Sequence, residues 1–262
     1  MKPLFFLSLA ALAVAGCSES TSPTSNLAPD YAKPGSDPVI SVAGTLTNDS
    51  FSFDDGTFSS AAGSSFFIED LDGGFGASAP TFAGVYNNAS NRFIGRLDNH
   101  KAGVAVTNAG SKYAVSFDLY IIGSWDGDGQ QSGKQWGADV WSAGIACSPS
   151  GLAVANLMTT TFSNQKTVQQ SYPGQYNEGR GGGPAFTGAF AVDALGFVDD
   201  PTSHTPLSKS AGDSWYKLSF TGTNPCGNGN PLYLVFTVPN ANLQSNYDES
   251  WGIDNVSIKT DL

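Results

Sequence analysis

Tyr113-Ala114-Val115-Ser116-Phe117-Asp118-Leu119-Tyr120-Ile121-Ile122 is the stretch on which the fold turns. Tyr113, Val115, Phe117, Leu119 and Ile121 share one parity, and Ala114, Ser116, Asp118 and Tyr120 share the other. A strict period of two over that length describes a strand with one face in a core and the other nearer water. The same alternation recurs in 216–221, and in 232–238, where Leu232, Leu234, Phe236 and Val238 align. Shorter segments of the same kind are 51–53, 66–68, 92–97, 104–107, 139–145, 159–162 and 186–192. Clusters of Gly, Asn, Asp and Pro separate them, so the chain reads as all-β, an antiparallel β-sandwich with jelly-roll topology.

Composition agrees. The 262 residues include 31 glycines and 14 prolines, only 13% are charged, and 19 of the 23 acidic residues are Asp. Asp favours turns, caps and metal sites where Glu favours helices. This argues against a coiled coil, a helical repeat or a TIM barrel. A net charge of -11 argues against nucleic acid as a partner. The final strand carries an irregularity: Trp251 and Ile253 keep one parity, Val256 and Ile258 the other. One residue must be absorbed near Asp254-Asn255, either by a β-bulge or by a corner between sheets.

The first sixteen residues join Lys2 to the apolar run 4–14 and the small pair Ala15-Gly16. They read as a signal peptide, too short to span a bilayer. Val14-Ala15-Gly16-Cys17 resembles the bacterial lipobox, which implies a diacylglyceryl anchor on Cys17 and cleavage before it. By the same analogy Ser18 after the cysteine favours the outer membrane. Residues 17–38 are rich in Ser, Thr, Pro and Asn and read as a lipidated tether, leaving 39–262 as one sandwich domain. Export sets the reading of the other cysteines. Cys147 and Cys226, both in turn-like surroundings, are expected to pair in an oxidising compartment, the alternative being two separate thiols.

Several blocks, taken in order, resemble a set found in exported bacterial jelly-roll proteins, many of them carrying the PEP-CTERM sorting tail. They are 117–127, Thr160-Thr161-Phe162-Ser163-Asn164, Gln170-Ser171-Tyr172-Pro173 and 248–256. The ending also resembles carbohydrate-binding modules and other galactose-binding-like sandwiches. In those, an acidic residue of the last strand and an acidic turn near the first hold a structural calcium; here the resemblance implies Asp254 with Asp54 and Asp55. The sequence stops at Leu262 without the sorting tail, and the resemblance implies that a lipid anchor takes its place.

Three groups of residues are candidates for function. Asp126-Gly127-Asp128-Gly129 sets alternating carboxylates on a glycine turn, a pattern suited both to Ca²⁺ and to ordinary hairpin chemistry. Glu249, one of only four Glu, is read as ordering the final loop or accepting hydrogen bonds from backbone amides. Among the aromatic residues, Trp125 and Trp251 read as structural. Trp136, Tyr172 and Tyr176 read as an exposed surface on which sugar rings could stack. Nucleophilic and zinc chemistry lack parts: His100 and His204 are the only histidines, and no Gly-x-Ser-x-Gly turn accompanies them. The expectation is a non-enzymatic, lipid-anchored envelope protein that binds a glycan or other extracellular ligand, with structural calcium. The alternatives are an adhesive protein acting through protein contacts and a polysaccharide hydrolase.

Overall fold

The computed structural model describes residues 46–51, 65–70, 81–85, 88–106, 109–131, 134–135, 137–148, 151–176, 182–195, 212–239, 243–244 and 248–261. Every regular element among them is a strand, and no helix there is long and apolar enough to cross a membrane. Residues 1–45, with the expected signal peptide, Cys17 and tether, lie outside the described residues, as do Asp54, Asp55 and Trp136.

In chain order the strands are β1 (Leu46–Phe51), β2 (Ser65–Asp70), β3 (Thr81–Val85), β4 (Asn88–Leu97), β5 (His100–Val106), β6 (Lys112–Gly123) and β7 (Gln130–Gln131). They continue with β8 (Lys134–Gln135), β9 (Val140–Ala146), β10 (Ala155–Thr161), β11 (Ala191–Val192), β12 (Gly212–Thr223), β13 (Leu232–Thr237) and β14 (Glu249–Asp261). A seven-stranded sheet runs β11-β12-β6-β14-β4-β3, with β1 also pairing β14; a five-stranded sheet runs β10-β9-β13-β5-β2. All the pairings are antiparallel. The order establishes a sandwich of two antiparallel sheets, a coarser statement than jelly-roll winding.

The decisive stretch is β6, at the middle of the larger sheet. Val115, Phe117, Leu119 and Ile121 face the core as their parity requires. They meet Trp141 and Ala143 of β9 and Leu234 and Phe236 of β13 from the facing sheet. The Phe117 ring lies 4.8 Å from that of Phe236 and 6.1 Å from that of Trp141, which in turn lies 6.1 Å from Trp251. Burying each such ring contributes about 2–3 kcal/mol, so this aromatic seam dominates the packing between the sheets.

The parity change in the last strand is a bulge. The pairing of β14 with β6 shifts register between Asp254 and Ser257, and Asn255 adopts φ of 50°. Asn255 Nδ2 donates to Asp118 Oδ2 at 2.8 Å. The neighbour on the far side changes at the same place: β4 pairs Trp251 and Ile253, whereas β1 pairs residues from Val256 onward. One strand can thereby serve two partners, and the extra residue keeps apolar side chains facing the core on both sides of it.

Two expectations need correction. Residues 186–192 do not form a strand; only Ala191–Val192 pairs, as β11, and Phe186 sits at φ of 64° in a turn-rich segment. Tyr172 is not on an exposed surface. Its ring lies 5.1 Å from both Phe162 and Tyr216, and the residue is buried: its amide donates to Thr161 O at 3.1 Å and the Gly188 backbone closes over the ring. Cys147 and Cys226 form a disulfide, with Cα atoms 5.4 Å apart, across 79 residues of chain.

Candidate metal centre

Three acidic residues from different parts of the chain meet at one end of the larger sheet. Their convergence follows from how β6 and β14 finish. Gly123 closes β6 at φ of +88°, and a Cβ there would lie 1.8 Å from the Asp248 carbonyl oxygen. Only glycine lets the head of β14 approach so closely, and Gly123 pairs with Glu249. Ser124 secures the crossing twice, its amide donating to Asp248 O at 2.7 Å and its hydroxyl to Asp248 Oδ1 at 2.6 Å. Trp125 Nε1 then donates to Ser250 O at 2.9 Å, while Trp251 Nε1 donates to Asp98 O at 2.8 Å. These two tryptophans are structural, as their sequence positions suggest. The first ties the segment before Asp126 to the residue after Glu249, and the second ties β14 to the end of β4.

The turn after Asp126 brings in the third acid. Gly127 adopts φ of +57° against the Gln169 carbonyl and accepts a hydrogen bond from Asp139 N at 3.0 Å. Asp126 N in return donates to Asp139 Oδ2. As a result, one carboxylate oxygen from each of Asp126, Asp139 and Glu249 lies within 4.8 Å of the other two, and all three residues are buried. Glu249 also accepts from Gln244 N at 3.0 Å, so it orders the loop before β14 through a backbone amide.

The electrostatics of this cluster are one-sided. Burial pushes the Asp139 carboxyl well above its usual range, and the neighbouring charges of Glu249, Asp126 and Asp248 push it further. Only the Asp126 amide acts in the opposite direction. Three ionised carboxylates cannot stay together in a water-poor site without a counterion, so the site takes up either a proton or a cation. Oxygens bound to one Ca²⁺ at about 2.3–2.6 Å lie within about 5 Å of each other, which this donor set satisfies. Mg²⁺, at about 2.1 Å with rigid octahedral demands, fits a looser all-carboxylate set less well.

Other candidate residues take different places. Asp128 is buried, but its Oδ1 accepts from Thr161 Oγ1 and, at 2.7 Å, from Ser171 Oγ, so its carboxylate anchors the turn to β10 and the segment after it. Asp254 is fully buried at the bulge, opposite Asp118. Tyr176 is half-buried, with its amide donating to Thr159 O at 2.7 Å. Behind the acidic cluster, Asn164 and Gln170 are buried polar braces. Asn164 Nδ2 reaches the carbonyls of Gly123 and Ile121, and Gln170 Oε1 accepts from the amides of Ser163 and Phe186.

Asp139 is the member the sequence concealed. It stands thirteen residues after Asp126, and nothing local distinguishes it from the start of an apolar strand. Glu249 stood out through the scarcity of Glu. Fold and site together define an all-β antiparallel sandwich with a buried carboxylate cluster where two central strands end. Compared with known proteins, the chain matches no family model, no curated protein and no solved structure.

Proposed function

We propose that this is an exported, lipid-anchored bacterial envelope protein whose jelly-roll sandwich binds a glycan or other extracellular ligand without turning it over, and whose sheet end is locked by Ca²⁺. The observation that carries the reading is the closed set of Asp126, Asp139 and Glu249, buried and surrounded by further negative charge. An exported protein meets calcium at concentrations that fill even weak sites. The lipobox-like Val14-Ala15-Gly16-Cys17, the disulfide and the resemblance to carbohydrate-binding sandwiches support the same compartment and role. Burial of all three carboxylates favours holding an ion over acid–base chemistry on a polymer, which needs carboxyls that the substrate can reach.

Calcium should raise the melting temperature of the EDTA-treated protein, and a glycan array probed with the calcium-loaded chain should show binders. An unchanged melting temperature together with an empty array would defeat the reading. A second reading, adhesion through protein contacts, draws on the partly exposed Phe190 and Val192 at the β11 edge, where Lys217 Nζ stands 4.5 Å from the Phe190 ring centroid. Self-association in sedimentation experiments, unaffected by added sugar, is its signature.

A further inference from the structure

A cavity of about 550 Å³ opens on the outer face of the five-stranded sheet, in the size range of about 300–1,000 Å³ for small-ligand clefts. Its floor is set by register. Thr159 pairs with Ser142, Ser142 with Thr237, and Thr237 with Lys101, so four polar residues line up in one row across β10, β9, β13 and β5. At about 4.8 Å per strand the row is about 14 Å long. The core-facing alternates on these strands, Trp141, Ala143, Phe236 and Ala102, confirm that the row points away from the core.

The next row on the same face pairs Gly144 with Val235 and Val235 with Gly103. A Cβ on Gly144 would lie 2.5 Å from the Ala153 Cβ, so the missing side chain lets the 151–155 segment lie against the strand as a wall. That wall is held by Val154 N donating to Ile145 O at 2.7 Å and by Lys101 Nζ donating to Gly151 O at 3.2 Å. Cys147, at the end of β9, is bridged to Cys226 just before β13, at the same end of the sheet. Leu152, which is 89% exposed, stands on the lip, with Pro239 among the other lining residues.

The polar floor is pre-arranged. Thr159 Oγ1 donates to Asn156 Oδ1 at 3.1 Å and lies 3.0 Å from Ser142 Oγ. Each hydroxyl still has lone pairs for a ligand donor.

We propose that this groove is the ligand site, and that its occupant is a short glycan chain lying across the strands. The proposal rests on the binding function put forward above and gives it a location. A sugar offers vicinal hydroxyls to the row of Thr159, Ser142, Thr237 and Lys101 and to Asn156 beside it, and apolar C–H faces to Leu152, Val235 and Pro239. An acyl chain would offer no donor to the lone pairs that the hydroxyls of this row keep free. A peptide strand would need a free backbone edge, whereas β9, β13 and β5 are paired on both sides and the outer edge of β10 at Thr159 is taken by Gln175 Oε1 and the Tyr176 amide. Among the described lining residues there is no carboxylate, imidazole or thiol, which suits binding without turnover.

The test is calorimetric titration of the calcium-loaded full chain with laminarin oligosaccharides, which are neutral, and alginate oligosaccharides, which carry uronates. The wild type is compared with S142A/T237A and with L152S, the latter altering only an exposed lip. Lys166→Ala, on an exposed turn away from the groove, is the control. We expect one of the two sugars to bind, at least tenfold weakening in S142A/T237A, several-fold weakening in L152S, and no change in K166A, with melting temperatures of L152S and K166A close to wild type. The responding oligosaccharide identifies the source, neutral or acidic. Binding that survives both groove variants overturns the groove while leaving glycan binding intact. No binding of either sugar at millimolar concentration overturns the groove, and an empty array would then remove the binding reading as well.

Discussion

The two sheets of this sandwich use their outer faces differently. On the seven-stranded sheet, Tyr120 and Ile122 of β6 join Phe93 and Leu195 in a second buried apolar cluster, with Trp215 packed against it. On the five-stranded sheet the outward positions are Lys101, Ser142, Thr159 and Thr237, beside an open cavity. The face that apolar side chains cover adds to stability, and the face left polar and walled is the one free to recognise something. The carboxylate cluster stands at the end of the covered sheet, where close packing forces charges together and a cation would relieve them.

The comparison predicts unequal costs. Phe93→Ala, which empties the cluster whose rings lie 4.6 Å apart at Phe93 and Tyr120, should lose about 3–5 kcal/mol in chemical denaturation. Thr237→Ala on the open face should change stability by less than about 0.5 kcal/mol. Equal costs would erase the distinction between the faces. Next in size is the disulfide: reduction, or Cys147→Ser, should remove about 2–4 kcal/mol, since the bridge closes a loop of 79 residues in the unfolded chain. A smaller loss would mean that the groove wall is held mainly by Lys101 and the backbone of 151–155.

The acidic end should respond to pH in a direction opposite to that of a salt-bridged carboxylate. Because the folded Asp139 carboxyl titrates well above the usual carboxylate range, the metal-free folded state keeps a proton that the unfolded chain releases. Over that interval stability falls as pH rises. In EDTA the melting temperature should therefore increase on acidification towards the ordinary carboxylate range, until the unfolded chain takes up the proton too. In saturating calcium the ion takes the proton's place, and the trend should vanish or reverse. A melting temperature independent of pH in EDTA would count against the buried cluster.

Much of this fold was legible because alternation is a local signal. β6, β12 and β13 stand where Tyr113–Ile121, Tyr216–Phe220 and Leu232–Phe236 place apolar residues at every second position, and the parity change after Ile253 located the bulge. Residues 186–192 misled because their aromatic and apolar spacing imitates a strand while the backbone turns at Phe186. Tyr172 misled for a related reason: a Pro and Gly neighbourhood suggests a surface, but the turn carries the ring between Phe162 and Tyr216. The acidic cluster was half visible. Asp126 and Glu249 drew notice for their setting and rarity, but Asp139 joins them only through backbone bonds that tie it to residues 126 and 127 across a thirteen-residue turn, which no local pattern encodes. The groove's polar row was hidden likewise, since its four residues become neighbours only once four strands are in register.

The most direct test of the central claim is a calcium titration of the EDTA-stripped protein, read by calorimetry and by melting, in the wild type and in Asp139→Asn. One ion per chain should bind the wild type and raise its melting temperature, while D139N, folded and no less stable in EDTA, should lose most of both responses. Wild type that takes up no calcium, or D139N that binds it equally well, would contradict the account.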